Sequence, residues 1–329
     1  TVTVQLSAAY PNNNLKVGQK IRISGVSDES FNGVYTIASC DTTSYDDFTF
    51  VQYGPSAGPI TTGIMTAGGH YDRLSTWEQQ FGGTSGYLTS DSRTVTAECF
   101  NDWSGGLDNK LTINGWATDA TRFVKVTAPP MERHTGVAQT GFYIRTTANA
   151  DDLIIYTPYT TVEYIDITSS GGGGYTINAT SPAAYSIIRN CIVRSGGKTG
   201  VRLEASTAWC YNNVVHDCGI DGIIGSGALA YNNTVYRCAH KGISGTRAWN
   251  NISVNNGDQT GDDDDYVNVD SNDGYNISSD GTADDNGAVS GRTGATAAAL
   301  FAAPSVTPPD LRLLSGTVAR DTAKDAGFE

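Results

Sequence analysis

The chain has 329 residues, with 38 glycines, 17 tyrosines and a formal net charge of −13. This length accommodates one long repetitive domain and a small accessory domain, and the composition is typical of a turn-rich β protein. The acidic balance argues against nucleic acid and anionic membranes as partners. No apolar run approaches the roughly 18 residues that a membrane-spanning helix needs, so no membrane span is expected.

Residues 1–68 are predicted to form a small β module. Apolar residues alternate around Ile21 and Ile23, and Asn32-Gly33 stands between strand-like runs, which is a strong hairpin signal. The pattern resembles small β modules at the front of phage and bacterial surface proteins, which implies a docking role. The alternative is a β-rich cap without a binding role.

Residues 69–92 are predicted to form a linker and a short capping helix. Ser75 and Glu78 have the spacing of a capping box, and Trp77 and Phe81 would lie on one face of the helix. A stack of strands leaves core and strand edges open at its end. We expect this helix to cover that end.

Residues 93–294 are predicted to form one repetitive domain. Its strands become regular after Arg189, where an asparagine recurs at spacings of 23, 20, 18 and 25 residues, and a glycine with a β-branched residue recurs nine or ten residues later. The aligned asparagines are Asn190, Asn213, Asn233, Asn251 and Asn276. Units of this length, rich in β-branched residues and without helical periodicity, predict a solenoid of β-strand coils.

The recurring asparagine predicts a hydrogen-bonded ladder. Coils stack at about 4.8 Å, so an amide at the same place in each coil can donate to one neighbour and accept from the other. The simpler interpretation is that Asn-Asn pairs mark turns. The repeat resembles the right-handed parallel β-helix family, which includes pectin-degrading enzymes and phage tailspikes. The resemblance, strongest over residues 160–280, implies an all-β, right-handed parallel β-helix, but fold does not give function.

Three further segments resemble phage-encoded members of this family. They are residues 115–122, residues 132–136 and the closing segment 295–329. The resemblance implies a non-catalytic virion structural protein, capsid-decorating or tailspike-like, that presents a β-helix on the virion surface as a homotrimer in contact with other virion proteins. The alternatives are a polysaccharide lyase or glycoside hydrolase, secreted or virion-borne, and an adhesin at the cell surface without a virus. Surface polysaccharide is a further candidate partner.

The complete catalytic sets of the enzymatic branches do not occur in the chain. The nearest arrangement is Asp217 and Asp221 with nearby bases: Asp217 is expected to align with Arg194 and Arg237, and Asp221 with Lys241. Alternating charge on adjacent coils is explained by cross-strand pairing without chemistry.

Glu204 is a third catalytic candidate. On a long turn, it could form an acid–base pair with Asp217 or Asp221 at the separation that glycosidases use. Carboxylates on turns are common, so a solvated side chain is the alternative.

A run of four aspartates is the candidate metal site: Asp262, Asp263, Asp264 and Asp265. Consecutive carboxylates are costly to bury, so we expect a solvated loop. The run lacks the spacing of a calcium-binding loop. No cofactor is expected, and a weak calcium site is the alternative.

Tyr211, Tyr231 and Trp249 share one repeat position and are the candidate ligand-binding residues. If exposed, their stack would be a sugar-binding platform; if it faces inward, it would be core, and the alternation of strands favours the core. Cys218 and Cys238 also share a position, where buried free thiols are favoured over a disulfide.

Overall fold

The computed structural model describes residues 1–5, 17–18, 20–41, 47–52, 63–67, 73–82, 94–102, 105–147, 149–257, 264–269, 274–283, 291–315, 317 and 319. This part of the chain is mostly β, with few helices and three long parallel sheets. The arrangement is compatible with a parallel β-helix.

The N-terminal strands form one antiparallel sheet in the order β1-β4-β3-β2-β5. Their bounds are β1 Val2–Gln5, β2 Lys20–Ser24, β3 Gly33–Cys40, β4 Asp47–Phe50 and β5 Ile64–Ala67. Alternating apolar side chains close a small core around Ile21, Phe48 and Phe50. The predicted hairpin turn is wrong in detail, because Gly33 already belongs to β3 and the Asn32 side chain instead binds the backbone of Val26.

Helix α1, Leu74–Phe81, packs against the start of the stacked strands. Trp77 is buried in their core and stacks on Trp116, with 5.9 Å between ring centroids. The predicted capping box does not form: Glu78 Oε1 accepts hydrogen bonds from the indole of Trp116 and the backbone of Asn114, at 3.2 and 3.1 Å. Glu78 therefore joins the helix to the strands beneath it.

Three seven-stranded parallel sheets follow, numbered here I to III. Sheet I contains β7 Leu111–Ile113, β10 Leu153–Ile155, β13 Tyr175–Ala179, β16 Thr199–Leu203, β19 Ile223–Gly225, β22 Ile243–Ser244 and β25 Tyr266–Val267. Sheet II contains β6 Val95–Glu98, β8 Val124–Thr127, β11 Thr160–Glu163, β14 Ile187–Arg189, β17 Trp209–Tyr211, β20 Leu229–Tyr231 and β23 Arg247–Trp249. Sheet III contains β9 Tyr143–Thr146, β12 Asp166–Ser169, β15 Ile192–Ser195, β18 Val214–His216, β21 Thr234–Tyr236, β24 Ile252–Val254 and β26 Ile277–Ser278.

From β10 to β24 the chain passes through sheets I, II and III in turn, and we call each such passage a coil. Every strand pairs with the equivalent strand one coil earlier, so alternate side chains form columns. In sheet II one column faces the interior, where its members are at most 1% exposed: Val162, Ile188, Cys210, Ala230 and Ala248. Each large apolar side chain buried in this way stabilises the fold by about 1.5–3 kcal/mol.

The asparagine ladder lies at the corner between sheets II and III. Asn213 Oδ1 accepts from the backbone N–H of Cys191 at 2.9 Å, and Asn233, Asn251 and Asn276 each accept in the same way from the preceding rung, at 3.1, 2.9 and 3.0 Å. These four asparagines are at most 1% exposed. The ladder prediction is therefore confirmed for four of its five members.

The prediction for Asn190 is wrong by one residue, because Cys191 occupies its rung. Asn190 instead belongs to a second column, in which each residue has a left-handed backbone with φ between 51° and 58°. The column comprises Tyr164, Asn190, Asn212, Asn232, Asn250 and Tyr275. Asparagine tolerates this conformation better than most residues, so the Asn-Asn pairs combine a turn residue with a ladder residue.

The recurring glycine marks a close approach of neighbouring coils. A Cβ added at Gly200 would lie 2.6 Å from Val215 and 2.7 Å from the carbonyl oxygen of Gly222. The six cysteines are free thiols, and Cys218 and Cys238 are both buried, as predicted.

The outer face of sheet III is covered by the chain itself. Helix α2, Ala297–Leu300, and the antiparallel strands β27, Phe301–Ala303, and β28, Asp310–Leu313, pack on its last coils. Their apolar residues form one cluster with Tyr236, Ile252, Val254 and Ile277. The closing segment therefore acts as a lateral cover of sheet III.

Candidate functional site

The outer face of sheet II carries a column that changes from charged to aromatic. In register it runs Glu163, Arg189, Tyr211, Tyr231 and Trp249. These residues alternate with the interior column, so they point away from the core. The left-handed residue that follows each of these strands, Asn212 after Tyr211, interrupts the alternation. For that reason the outward ring of Tyr211 and the buried amide of Asn213 belong to one turn.

Glu163 anchors the charged end of this column. It is 1% exposed and binds the ammonium group of Lys125 at 2.5 Å and the guanidinium of Arg189 at 2.6 Å. Burial alone would raise the pKa of Glu163, but the hydrogen bonds and positive charges of these two bases outweigh it, so the pKa is lowered. The carboxylate therefore stays ionised and serves to join three coils.

The aromatic end of the column is a stack of rings rather than a flat platform. The rings of Tyr211 and Tyr231 are 4.6 Å apart and inclined by 11°, and Arg189 donates to the hydroxyl of Tyr211 at 2.9 Å. Tyr231 is 4% exposed, and burial raises its pKa. Sugars stack on exposed ring faces, whereas these two rings cover each other. The column faces outward, which differs from the predicted core position. Tyr231 is buried, Tyr211 and Trp249 are half-buried, and the sugar-binding platform stays a prediction.

Asp217 is bound on both sides by its neighbours. Arg237 donates to it at 2.7 and 2.9 Å, and His216 Nδ1 lies 2.7 Å from Oδ2. Burial would raise the pKa of Asp217, but the contacts with His216 and Arg237 prevail and lower it. The expected pairing with Arg237 is confirmed. The expected alignment with Arg194 is wrong, because Arg194 aligns with His216.

Asp221 and Glu204 have different surroundings. Asp221 accepts from the backbone N–H of Lys241 at 3.1 Å, and Glu204 pairs with Arg202 and accepts from the backbone of Ser181 at 2.9 Å. Within the contacts that the structure describes, neither of these carboxylates shares a partner with Asp217. The three candidates are thus held separately.

The prediction of a solvated loop is wrong for Asp265, while Asp262 and Asp263 lie outside the described residues and Asp264 is half-buried. Asp265 is fully buried and accepts from the side chain and backbone of Asn256 and Ser279, at 2.6–3.1 Å. Burial, together with nearby Asp280, raises its pKa to about 6. Across the described residues, no group of three or more His, Cys, Asp or Glu side chains could hold a metal ion.

The N-terminal sheet meets the coils through ion pairs. Lys20 binds Glu132 at 2.9 Å and Arg22 binds Glu98 at 2.5 Å, while the two parts have separate apolar cores. Burial raises the pKa of nearby Asp102 to about 6. This polar contact and a fully buried Lys198–Asp152 pair escape sequence reasoning, because no spacing joins partners so far apart in the chain.

No helix in the described part of the chain is long and apolar enough to cross a membrane. Comparison with protein-family models, curated proteins and solved structures finds no significant match to this chain.

Proposed function

We propose that the chain is a non-catalytic structural protein of a phage-type virion, in which a right-handed parallel β-helix is presented on the particle surface. The virion part of the proposal rests on the resemblance of the repeat and of its flanking segments. The non-catalytic part rests on one observation: Glu163 and Asp217 are paired with basic side chains of adjacent coils.

This pairing matters because a catalytic acid or base needs a suitable pKa and access to the substrate. Asp217, held by Arg237 and His216, has a lowered pKa, so it is a poor proton donor at neutral pH. Glu163 is similarly held by two bases on adjacent coils. Such contacts stabilise the stack of coils, and both carboxylates are already bound by side chains of the protein.

The N-terminal sheet is the proposed docking module, and the coils are the presented part. Two ion pairs attach the sheet to the coils, through Lys20 and Arg22. A module attached mainly by polar contacts can retain its own binding surface. Self-association as a homotrimer, contact with other virion proteins and binding of surface polysaccharide belong to the same proposal.

The experiment has two arms. Antibody against the purified chain is used to probe density-purified particles, and we expect the protein in fixed stoichiometry to a capsid or tail protein. In the second arm, acidic and neutral polysaccharides are incubated with the chain, and unsaturated products and new reducing ends are followed.

No turnover is expected in the second arm. Turnover that Asp217→Ala or Asp221→Ala abolishes would establish the lyase or hydrolase alternative, with Glu29→Gln, an exposed carboxylate of the N-terminal module, as the surface control. Absence from the particles would refute the virion assignment whatever the second arm shows.

A further inference from the structure

Lys198 is the most deeply buried basic residue described. Its side chain has no exposed surface, and its Nζ lies 2.8 Å from Oδ1 of Asp152 and 2.6 Å from the carbonyl oxygen of Ala150. Lys198 directly precedes β16, and Asp152 directly precedes β10, with β13 between these two strands in sheet I. The pair therefore joins coils that are not adjacent.

The hydrogen bonds around this buried ion pair satisfy only part of its polar atoms. Oδ1 of Asp152 also accepts from the Thr146 hydroxyl at 2.7 Å, but Oδ2 is buried without a hydrogen-bond partner among the described residues. The hydroxyl of Thr176, whose backbone lies beside that of Asp152 in sheet I, is likewise buried without a hydrogen-bond partner among the described residues. Burial of two ions carries a large desolvation cost that good geometry must offset, and here only one carboxylate oxygen is satisfied.

We propose that Lys198 and Asp152 condense to an intramolecular amide that links the two coils covalently. A proton passes from the ammonium group to the carboxylate, and the neutral amine attacks Cγ of Asp152. The Nζ–Cγ bond forms and the Cγ–Oδ2 bond breaks. Two ammonium protons leave with Oδ2 as water, and the third stays on the amide nitrogen, so no oxidant or other reactant is needed.

The contacts match the roles that this step requires. The hydroxyl of Thr146 holds Oδ1, the oxygen that becomes the amide carbonyl, while Oδ2 is the oxygen without a partner. The carbonyl of Ala150 orients Nζ. These contacts hold the amine beside the carboxyl group, and reacting groups that are aligned for attack reach effective molarities of about 10⁵–10⁸ M. The product carries no buried charge.

Mass spectrometry of the intact, folded full-length chain tests the proposal directly. We expect a mass lower than that of the sequence by one water molecule. In a tryptic digest, cleavage after Lys198 should be absent, and a branched peptide should join residues 146–189 to residues 195–202. Dehydration at another aspartate would leave the free peptide 195–198, so the digest separates the two cases.

Lys198→Met is the matched control and should restore the full mass and the linear peptide 146–189. A wild-type chain that keeps its full mass and releases free peptide 195–198 would overturn the proposal. The wild-type digest decides the question even if the variant does not fold. The inference is independent of the proposed virion function.

Discussion

Replacing Asn233 with alanine is expected to destabilise the chain through hydrogen bonds alone. Asn233 is 1% exposed; its Oδ1 accepts from the backbone and the amide of Asn213, both at 3.1 Å. Its Nδ2 donates to the carbonyl of Cys210 at 2.8 Å and to Oδ1 of Asn251 at 3.1 Å. Alanine removes all four contacts and leaves these groups buried.

The expected loss of unfolding free energy depends on which hydrogen bonds each neighbouring group keeps. The backbone N–H of Asn213 loses its acceptor, and such a stranded buried donor costs about 1–3 kcal/mol. The amide of Asn213 keeps a bond to Ile188, and Oδ1 of Asn251 keeps the backbone N–H of residue 233, so each of these two losses is worth about 0.5–1.5 kcal/mol. The carbonyl of Cys210 loses a donor as well, which is worth about 0.5–1.5 kcal/mol. The four losses sum to about 2.5–7.5 kcal/mol, against a total stability of about 5–15 kcal/mol for a typical domain.

Thermal unfolding followed by circular dichroism measures this loss. For a repetitive domain of this size each kcal/mol lowers Tm by about 2–4 °C. Asn232→Gly is the matched control, because the adjacent asparagine is exposed and its φ of 54° suits glycine. An Asn233→Ala variant no less stable than Asn232→Gly would refute the ladder energetics.

Three further outcomes are expected. Glu163→Gln should lower Tm by several degrees, because two bases lose their buried counter-charge; the same change at half-exposed Glu204 is the control for thermal unfolding. Burial lowers the pKa of His134 and outweighs the opposite effect of its hydrogen bond to the Asn190 carbonyl, so the folded state favours the neutral ring. This contribution to stability is complete above pH 6.5 and is lost as the pH falls; comparing Tm with that of His134→Gln between pH 7 and 5 isolates the effect. The pKa of Asp265 is raised to about 6 in the folded state, so its effect on stability has the opposite sign. Its stabilising contribution is complete below the ordinary pKa near 3.8 and is lost as the pH rises through about 6. Asp265→Asn should flatten this part of the dependence of Tm on pH.

The repeat could be predicted from the sequence because its period is set by the stacking of coils. Stacked coils need the same residue type at the same corner, so the asparagines and glycines recur, and four ladder positions follow directly. The error at Asn190 has a simple cause. Cys191 takes a rung without an amide, so a rule that aligns asparagines shifts the first rung by one residue.

The outward-facing aromatic stack and the burial of Asp265 were harder to predict from the sequence. Strict strand alternation places Tyr211 in the core, but the left-handed residue after it ends that alternation, and sequence does not show where this happens. Asp265 follows three other aspartates, which favours a solvated loop, yet Asn256 and Ser279 supply four donors to its carboxylate. The local backbone decides the first case, and hydrogen-bond donors from other segments of the chain decide the second.

The asparagine ladder gives the stack a chemical direction. Every rung leaves a backbone N–H that only the following coil can satisfy, because the accepting Oδ1 always belongs to the later asparagine. A nascent chain therefore completes each coil by adding the next one, in the order of synthesis. A chain cut after residue 240 would leave the backbone N–H of Asn233 unsatisfied. A chain that starts in the coil of Asn233 would leave its Oδ1 without the donors of Asn213 and its Nδ2 without the carbonyl of Cys210. Every break in the ladder therefore leaves an unsatisfied backbone donor on its N-terminal side and an unsatisfied amide oxygen on its C-terminal side.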